Sequence, residues 1–312
     1  MTTRRPKKRV RSRTLHHGFT LIELAVAMFV IALLLGSILV PLATQVEQRQ
    51  ISETQKRLDD IREALIGHAL ANGYLPCPDA LPAPPLPLRP FPTGSTPVTE
   101  INNGAEDVNN ATGECETRNG TISIGNLPWA TLGLGSADAW GNRFRYVVVS
   151  EFAQRPVPPT STPPTFITTT GTPATFLLCE NAGCAPPSAE LSRVSVAIVI
   201  SHGGNGQGAM NATTNSFILN PGGFPPDEFA NADIGPNKVS RTKSTQVGNE
   251  FDDIVISLSR FTLINRMVAA GRLPYLFVFI NFFISAVTPL AASISNNRCL
   301  SPIANPTISA SR

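Results

Sequence analysis

The chain has 312 residues, of which only 15% are charged, well under the roughly 25% usual for soluble domains, and its 28 prolines and 23 glycines point to many turns and loops. The net charge of +3 is concentrated at one end, because seven of the 25 basic residues (Arg4, Arg5, Lys7, Lys8, Arg9, Arg11 and Arg13) fall before residue 18 with no acid among them. The remainder carries 18 basic against 22 acidic residues, a balance that argues against a broad nucleic-acid-binding face, since phosphate recognition needs clustered Lys and Arg.

Residues 1–18 read as a basic leader. Behind Gly18-Phe19-Thr20-Leu21-Ile22-Glu23 come twenty uncharged residues, Leu24 to Ala43. At about 1.5 Å per residue such a helix spans a bilayer core of about 30 Å, and the basic flank keeps the leader cytoplasmic and exports the body. A secretory signal places its small-residue cleavage site after the apolar run. Here Gly18 precedes it, so a cut there removes the charges and keeps the helix. Glu23 is costly just inside an apolar segment and is therefore a functional candidate. With Phe19 as a new N-terminus, Glu23 lies one helical turn on, placed to pair with the Phe19 amine of a neighbouring subunit and set axial register. Pro41 removes an amide near the membrane exit and favours a kink.

The string Gly18 to Leu24 resembles the processing site of type IV prepilins and type II secretion pseudopilins. The resemblance covers about the first 45 residues. It implies that prepilin peptidase cuts after Gly18 and methylates Phe19, and that Glu23 is the assembly residue. It implies as partners other pilin or pseudopilin subunits, an inner-membrane assembly platform and membrane lipid. The expected location is the bacterial inner membrane, single-pass with a periplasmic head, in a filament or at the cell surface.

Residues 44–73 continue the helix: Ile51, Leu58, Ile61, Leu65 and Ile66 mark one apolar face among polar residues, Gly73 is the expected C-cap, and Pro76 and Pro78 forbid continuation. The expected fold is α+β and pilin-like, with a long N-terminal helix, membrane-spanning in its first half (residues 19–43), packed on an antiparallel β-sheet head with long loops, residues 74–274. Residues Pro76 to about Gly120 are turn-rich. Strands are expected near 121–124, 144–149, 176–179, 194–200 and 253–257, a Pro/Thr-rich loop over 155–175, and a short helix over 260–270. The segments Gly125–Trp129, Asp138–Gly141, Ser201–Gly206 and Phe251–Asp253 resemble the head of a pilin-like subgroup recognised by its N-terminal cleavage motif. A hydrophobic tail, 275–312, stays open between a second membrane segment, a buried or surface-lying extension, and a non-native extension of the reading frame.

Five cysteines follow the anchor, on the side where disulfides persist. The expected pairs are Cys77 with Cys115 and Cys179 with Cys184, one of three connectivities for four cysteines, and Cys299 is left over. Zinc is disfavoured: the spacings are not C-x₂-C, and only His68 and His202 remain after processing. No catalytic residue is expected. The segment His202-Gly203-Gly204 has no G-x-S-x-G partner, the glycines at 204, 206 and 208 do not make a dinucleotide fingerprint, and a glycine turn is the simpler reading. No cofactor is expected as the first reading. The acids Asp227, Glu228, Asp233, Glu250, Asp252 and Asp253 leave calcium as a lesser one, because hard oxygen ligands suit it and some major pseudopilins bind it in a C-terminal loop, although no regular Asp-x-Asp-x-Asp-Gly loop is present. The leading functional expectation is a structural subunit, a minor pilin or pseudopilin. A permanently anchored, adhesin-like binding protein is the alternative, and an enzyme is not expected.

Overall fold

The computed structural model describes residues 18, 20–82, 101–157, 176–184, 190–220 and 223–272; the side chains of residues 35–43 lie outside the described set. The leader up to residue 17, Phe19, the proline run from 83, most of the Pro/Thr loop, the tail and Cys299 also lie outside it. The chain divides into two compact units at Gln50 and Ile51, and helix α1, Leu21–Asn72, carries residues of both.

In the first unit, the large apolar side chains of Leu21, Ile22, Met28, Phe29 and Leu33 are all exposed. Among the described residues no helix is long and apolar enough to cross a membrane. The span expected over Leu24–Ala43 runs through residues 35–43, whose side chains fall outside that set.

In the second unit the amphipathic spacing expresses itself as burial. Leu58, Ile61, Leu65, Ile66 and Ala69 are at most 2% exposed and join one apolar cluster with strand residues such as Ile124, Val147 and Ile198. Each large member contributes about 1.5–3 kcal/mol by leaving water. Thr54, also fully buried, accepts the Ala139 N–H at 3.2 Å, and Arg57 donates to the Ala137 carbonyl at 2.6 Å. The helix stops at Gly73, whose φ of 89° is the left-handed region and whose N–H closes on the Ala69 carbonyl.

Among the described residues seven strands form one sheet: β1 (Arg118–Asn119), β2 (Ile122–Asn126), β3 (Arg145–Val149), β4 (Phe176–Cys179), β5 (Glu190–Ser201), β6 (Lys238–Val239) and β7 (Ile254–Ser259). The order is β1-β2-β3-β5-β4-β6, with β7 also on β5. The length of β5 makes this possible. Its first half pairs with β4 (Phe176↔Ser195, Cys179↔Glu190), while residues 197–200 pair with β3 and β7 at once. Every residue of β2 and β3 is buried, so these strands are covered on both faces. Among the described residues α1 is followed by the α-helices α2 (Trp129–Leu132), α3 (Pro226–Ala232) and α4 (Arg260–Ala269), the last capped by Ser259, whose hydroxyl accepts the Phe261 N–H.

The sheet differs from the expected antiparallel one in a single pair: β4 and β6 run parallel. The chain reaches β6 straight from α3, and the buried Lys238 ammonium is tied back to the carbonyls of Ala230 (3.0 Å) and Asp233 (2.7 Å). That pin sets the direction in which residues 238–239 leave the helix. The turn-rich stretch before β1 is closed by the Cys77–Cys115 disulfide, with both cysteines buried.

Candidate functional site

Two constellations stand out. The first is at the start of α1. Gly18 and Thr20 are exposed and the helix begins at Leu21. The Thr20 hydroxyl accepts the Glu23 N–H at 3.3 Å, and the Glu23 carboxylate accepts the Thr20 N–H at 3.5 Å. This is a reciprocal capping box. Glu23 therefore has a local role in starting its own helix, and the Thr-x-x-Glu spacing is a signal the reading for assembly passed over.

The second constellation is in the head. Three of the six C-terminal acids, Glu228, Asp252 and Asp253, each present one carboxylate oxygen to a common space, with those oxygens all within 4.8 Å of one another. Glu228 comes from the first turn of α3, and Asp252 and Asp253 precede β7. Each carboxylate is fixed by one oxygen. Asn205 donates its side-chain amide to Glu228 Oε1 at 2.7 Å and its backbone N–H to Asp252 Oδ2 at 3.0 Å; Asn231 donates to Asp253 Oδ2 at 2.8 Å. The other three oxygens, Glu228 Oε2, Asp252 Oδ1 and Asp253 Oδ1, are buried without a hydrogen-bond partner.

His202, fully buried, lies beside one of the three, Asp253. Its Nδ1 stands 3.6 Å from Asp253 Oδ1, and neither ring nitrogen makes a hydrogen bond. The glycine turn 203–208 brings this loop in. At Gly203, with φ 59°, a Cβ would meet the Asp252 carbonyl oxygen at 2.4 Å, so only glycine allows the approach.

Burial pushes the Glu228 carboxyl up to about 7, with the Asp253 and Asp252 charges adding to the rise and the Asn205 hydrogen bond opposing it. Burial likewise raises Asp252, again reinforced by Asp253. Three carboxylates in one desolvated space repel unless protons or a cation neutralise them. Oxygens that lie within 4.8 Å of one another can all reach one divalent ion at the typical calcium ligand distance of about 2.4 Å. An all-oxygen donor set of three converging carboxylates, each with one buried oxygen lacking a hydrogen-bond partner, fits such an ion.

The remaining acids have other duties. Asp227 accepts the Ala182 N–H at 2.8 Å and pairs with Arg241 Nε at 2.7 Å. Asp233 lends its carbonyl to Lys238, and Glu250 stands apart from the cluster of three. The Asp138–Asn142 turn is a scaffold for this corner. Asp138 accepts the N–H groups of Trp140 and Asn142 with one oxygen and the Ser201 hydroxyl, one residue before His202, with the other. Cys77 is joined to Cys115 and Cys179 to Cys184.

No curated protein and no solved structure matches the chain. Residues 13–39 match the family model described as the prokaryotic N-terminal methylation motif, a motif that marks pilin-like structural proteins. The chain thus carries the prepilin-type cleavage and methylation signal of type IV pilins and pseudopilins.

Proposed function

We propose that the chain is a minor pilin or pseudopilin. It is cut after Gly18, methylated at Phe19, held in the inner membrane by the helix that follows, and assembled through Glu23 into a type IV pilus or type II secretion-like filament. The observation that carries this reading is the motif match over residues 13–39, which supplies the cleavage chemistry and the anchor in one segment. The capping box adds a reason for Glu23 to be ordered at the start of the helix. In this reading the second half of α1, with Leu58, Ile61 and Leu65 buried, belongs to the periplasmic head. A Glu23→Ala variant is expected to be processed normally and to be missing from sheared filaments. Its incorporation at the wild-type level would favour a permanently anchored binding protein instead.

The head, in the same reading, takes a divalent cation, calcium first, on Glu228, Asp252 and Asp253. The support is twofold: the three carboxylates converge on one space, and each has one buried oxygen without a hydrogen-bond partner, with His202 buried beside Asp253. A bound cation supplies charge neutralisation and a tie between three chain segments. The protein's own part is to aim the oxygens, through Asn205 and Asn231, and to exclude water. Calorimetric titration of the detergent-solubilised chain with calcium is expected to show one site. Heat indistinguishable from that of a Glu228→Gln, Asp253→Asn variant would remove this part of the proposal.

A further inference from the structure

The cation reading leaves one feature unused, the small loop closed by Cys179 and Cys184. We infer that this disulfide governs cation occupancy at the acidic cluster, so that the site closes only after the two cysteines are oxidised. The inference rests on the cation reading and concerns its regulation.

Two paths lead from the loop to the carboxylates. The first goes through Asp227. The loop holds Cys184 in the left-handed backbone region, with φ 41°, its N–H on Asn181, and presents the Ala182 N–H to Asp227 Oδ1 at 2.8 Å. Asp227 is the residue before Glu228 in α3, so whatever orients one in this first turn orients the other. The other oxygen of Asp227 meets Arg241 Nε at 2.7 Å, and both side chains are largely buried. Arg241 in turn donates to the Asn249 carbonyl at 3.1 Å and side-chain oxygen at 2.9 Å, and lies over the Phe251 ring. Phe251 is itself buried and exchanges both backbone hydrogen bonds with Ser244, and it directly precedes Asp252.

The second path goes through the parallel strand pair. Cys179 ends β4 opposite Val239, and its carbonyl accepts the Ser240 N–H. Asn231 receives the Val239 N–H at 2.7 Å, donates to the Val239 carbonyl at 2.9 Å, and donates to Asp253 at 2.8 Å. All three carboxylates are thus braced, within a few hydrogen bonds, by segments that the disulfide holds.

Opening the loop requires a dithiol reductant. It gives two electrons and two protons to the S–S bond, Cys179 and Cys184 become thiols, and the reductant becomes a disulfide. Residues 180–183 then regain freedom, the Ala182 N–H is no longer held at Asp227, and the first turn of α3 loses its outer brace. Coupling between two sites is reciprocal, so a bound cation must protect the disulfide as strongly as the disulfide supports the cation. In an exported protein, where disulfides persist, this orders maturation: oxidation comes first and the cation second.

The test uses the full chain in detergent with calcium as the probe, comparing wild type, Cys179→Ser/Cys184→Ser, Asp227→Asn, and the combination of the three. The expected result is about tenfold weaker calcium binding for the cysteine pair, within the usual range of coupling between sites, a similar loss for Asp227→Asn, and no further loss on combining them. On the wild-type protein, saturating calcium is expected to slow reduction of Cys179–Cys184 by a dithiol, read by maleimide labelling and peptide mass spectrometry, and to leave Cys77–Cys115 unaffected. That second measurement needs no variant to fold. No calcium binding by the oxidised wild type would remove the cation reading and this inference with it. Equal affinities in all four proteins, or reduction unaffected by calcium, would leave the cation reading standing and overturn the coupling alone.

Discussion

Replacing both Cys77 and Cys115 by alanine tests how the turn-rich segment before the sheet is held. The two cysteines are 38 residues apart in sequence, and the loop-closure entropy returned to the unfolded chain is worth about 4 kcal/mol at 25 °C for a loop of that length. The pair Cys179 and Cys184, only 5 apart, gives about 2 kcal/mol by the same relation. All four cysteines are buried, so the cost of deleting a buried sulfur is similar in both pairs and the loop term decides the difference. For a domain near 200 residues, 1 kcal/mol moves the melting temperature by about 2–4 °C. The Cys77→Ala/Cys115→Ala protein is therefore expected to melt about 8–16 °C below wild type, and the Cys179→Ala/Cys184→Ala protein about half as far below, in calcium-free buffer by circular dichroism. A loss for the long-loop pair no larger than that for the short-loop pair would refute the reasoning.

Three further outcomes are expected. Burial raises the Asp79 carboxyl from 3.8 to about 7, with Asp107 adding to the rise while the Gly104 N–H and Arg143 oppose it. The folded state therefore keeps a proton there that the unfolded state releases near pH 4, and stability falls as pH rises from about 4 to about 7. Asp79→Asn is expected to gain stability relative to wild type at pH 8 and not at pH 3.5, and urea unfolding at the two pH values would show an unchanged difference if this is wrong. Calcium at a hundred times its dissociation constant is expected to stabilise the chain by about 2.7 kcal/mol; a chelator should reverse the gain and Glu228→Gln should abolish it, whereas an equal thermal shift in the variant would place the ion elsewhere. At Gly104, φ is 84° and a Cβ would meet the Trp129 ring at 2.2 Å. Gly104→Ala is expected to cost more than about 2 kcal/mol, since the left-handed backbone alone costs about 1–2, and a loss under 1 kcal/mol in a denaturant melt would contradict the packing.

Much of the head was legible because its signals are local. The spacing of Leu58, Ile61, Leu65 and Ile66 gave a helical face, and those residues are buried. The aromatic and β-branched runs gave β3, β4, β5 and β7 within a few residues, except that β5 begins at Glu190, where no apolar alternation announces it. Helix α3 and strand β6 were not legible. Seven residues opening with Pro226 and a two-residue strand carry no period to read, and β6 exists because Lys238 is tied to the end of α3. The acid cluster was half legible. Six carboxylates were visible as a group, but the choice of Glu228, Asp252 and Asp253 is made by Asn205 and Asn231, which arrive from other segments. The same holds for His202, whose place beside Asp253 depends on the pairing of β5 with β7. Glu23 is the opposite case: its capping partner Thr20 lies three residues away, so the Thr-x-x-Glu spacing carries the cap locally, although Glu23 was read there only as an assembly residue.

The central claim is that the chain is processed at Gly18. Its most direct test is the intact mass and N-terminal sequence of the membrane-extracted protein, from cells with and without active prepilin peptidase. The account predicts loss of residues 1–18 and a methyl group on Phe19 when the peptidase is present, and an intact leader when it is absent. An uncut N-terminus in the presence of active peptidase would contradict it.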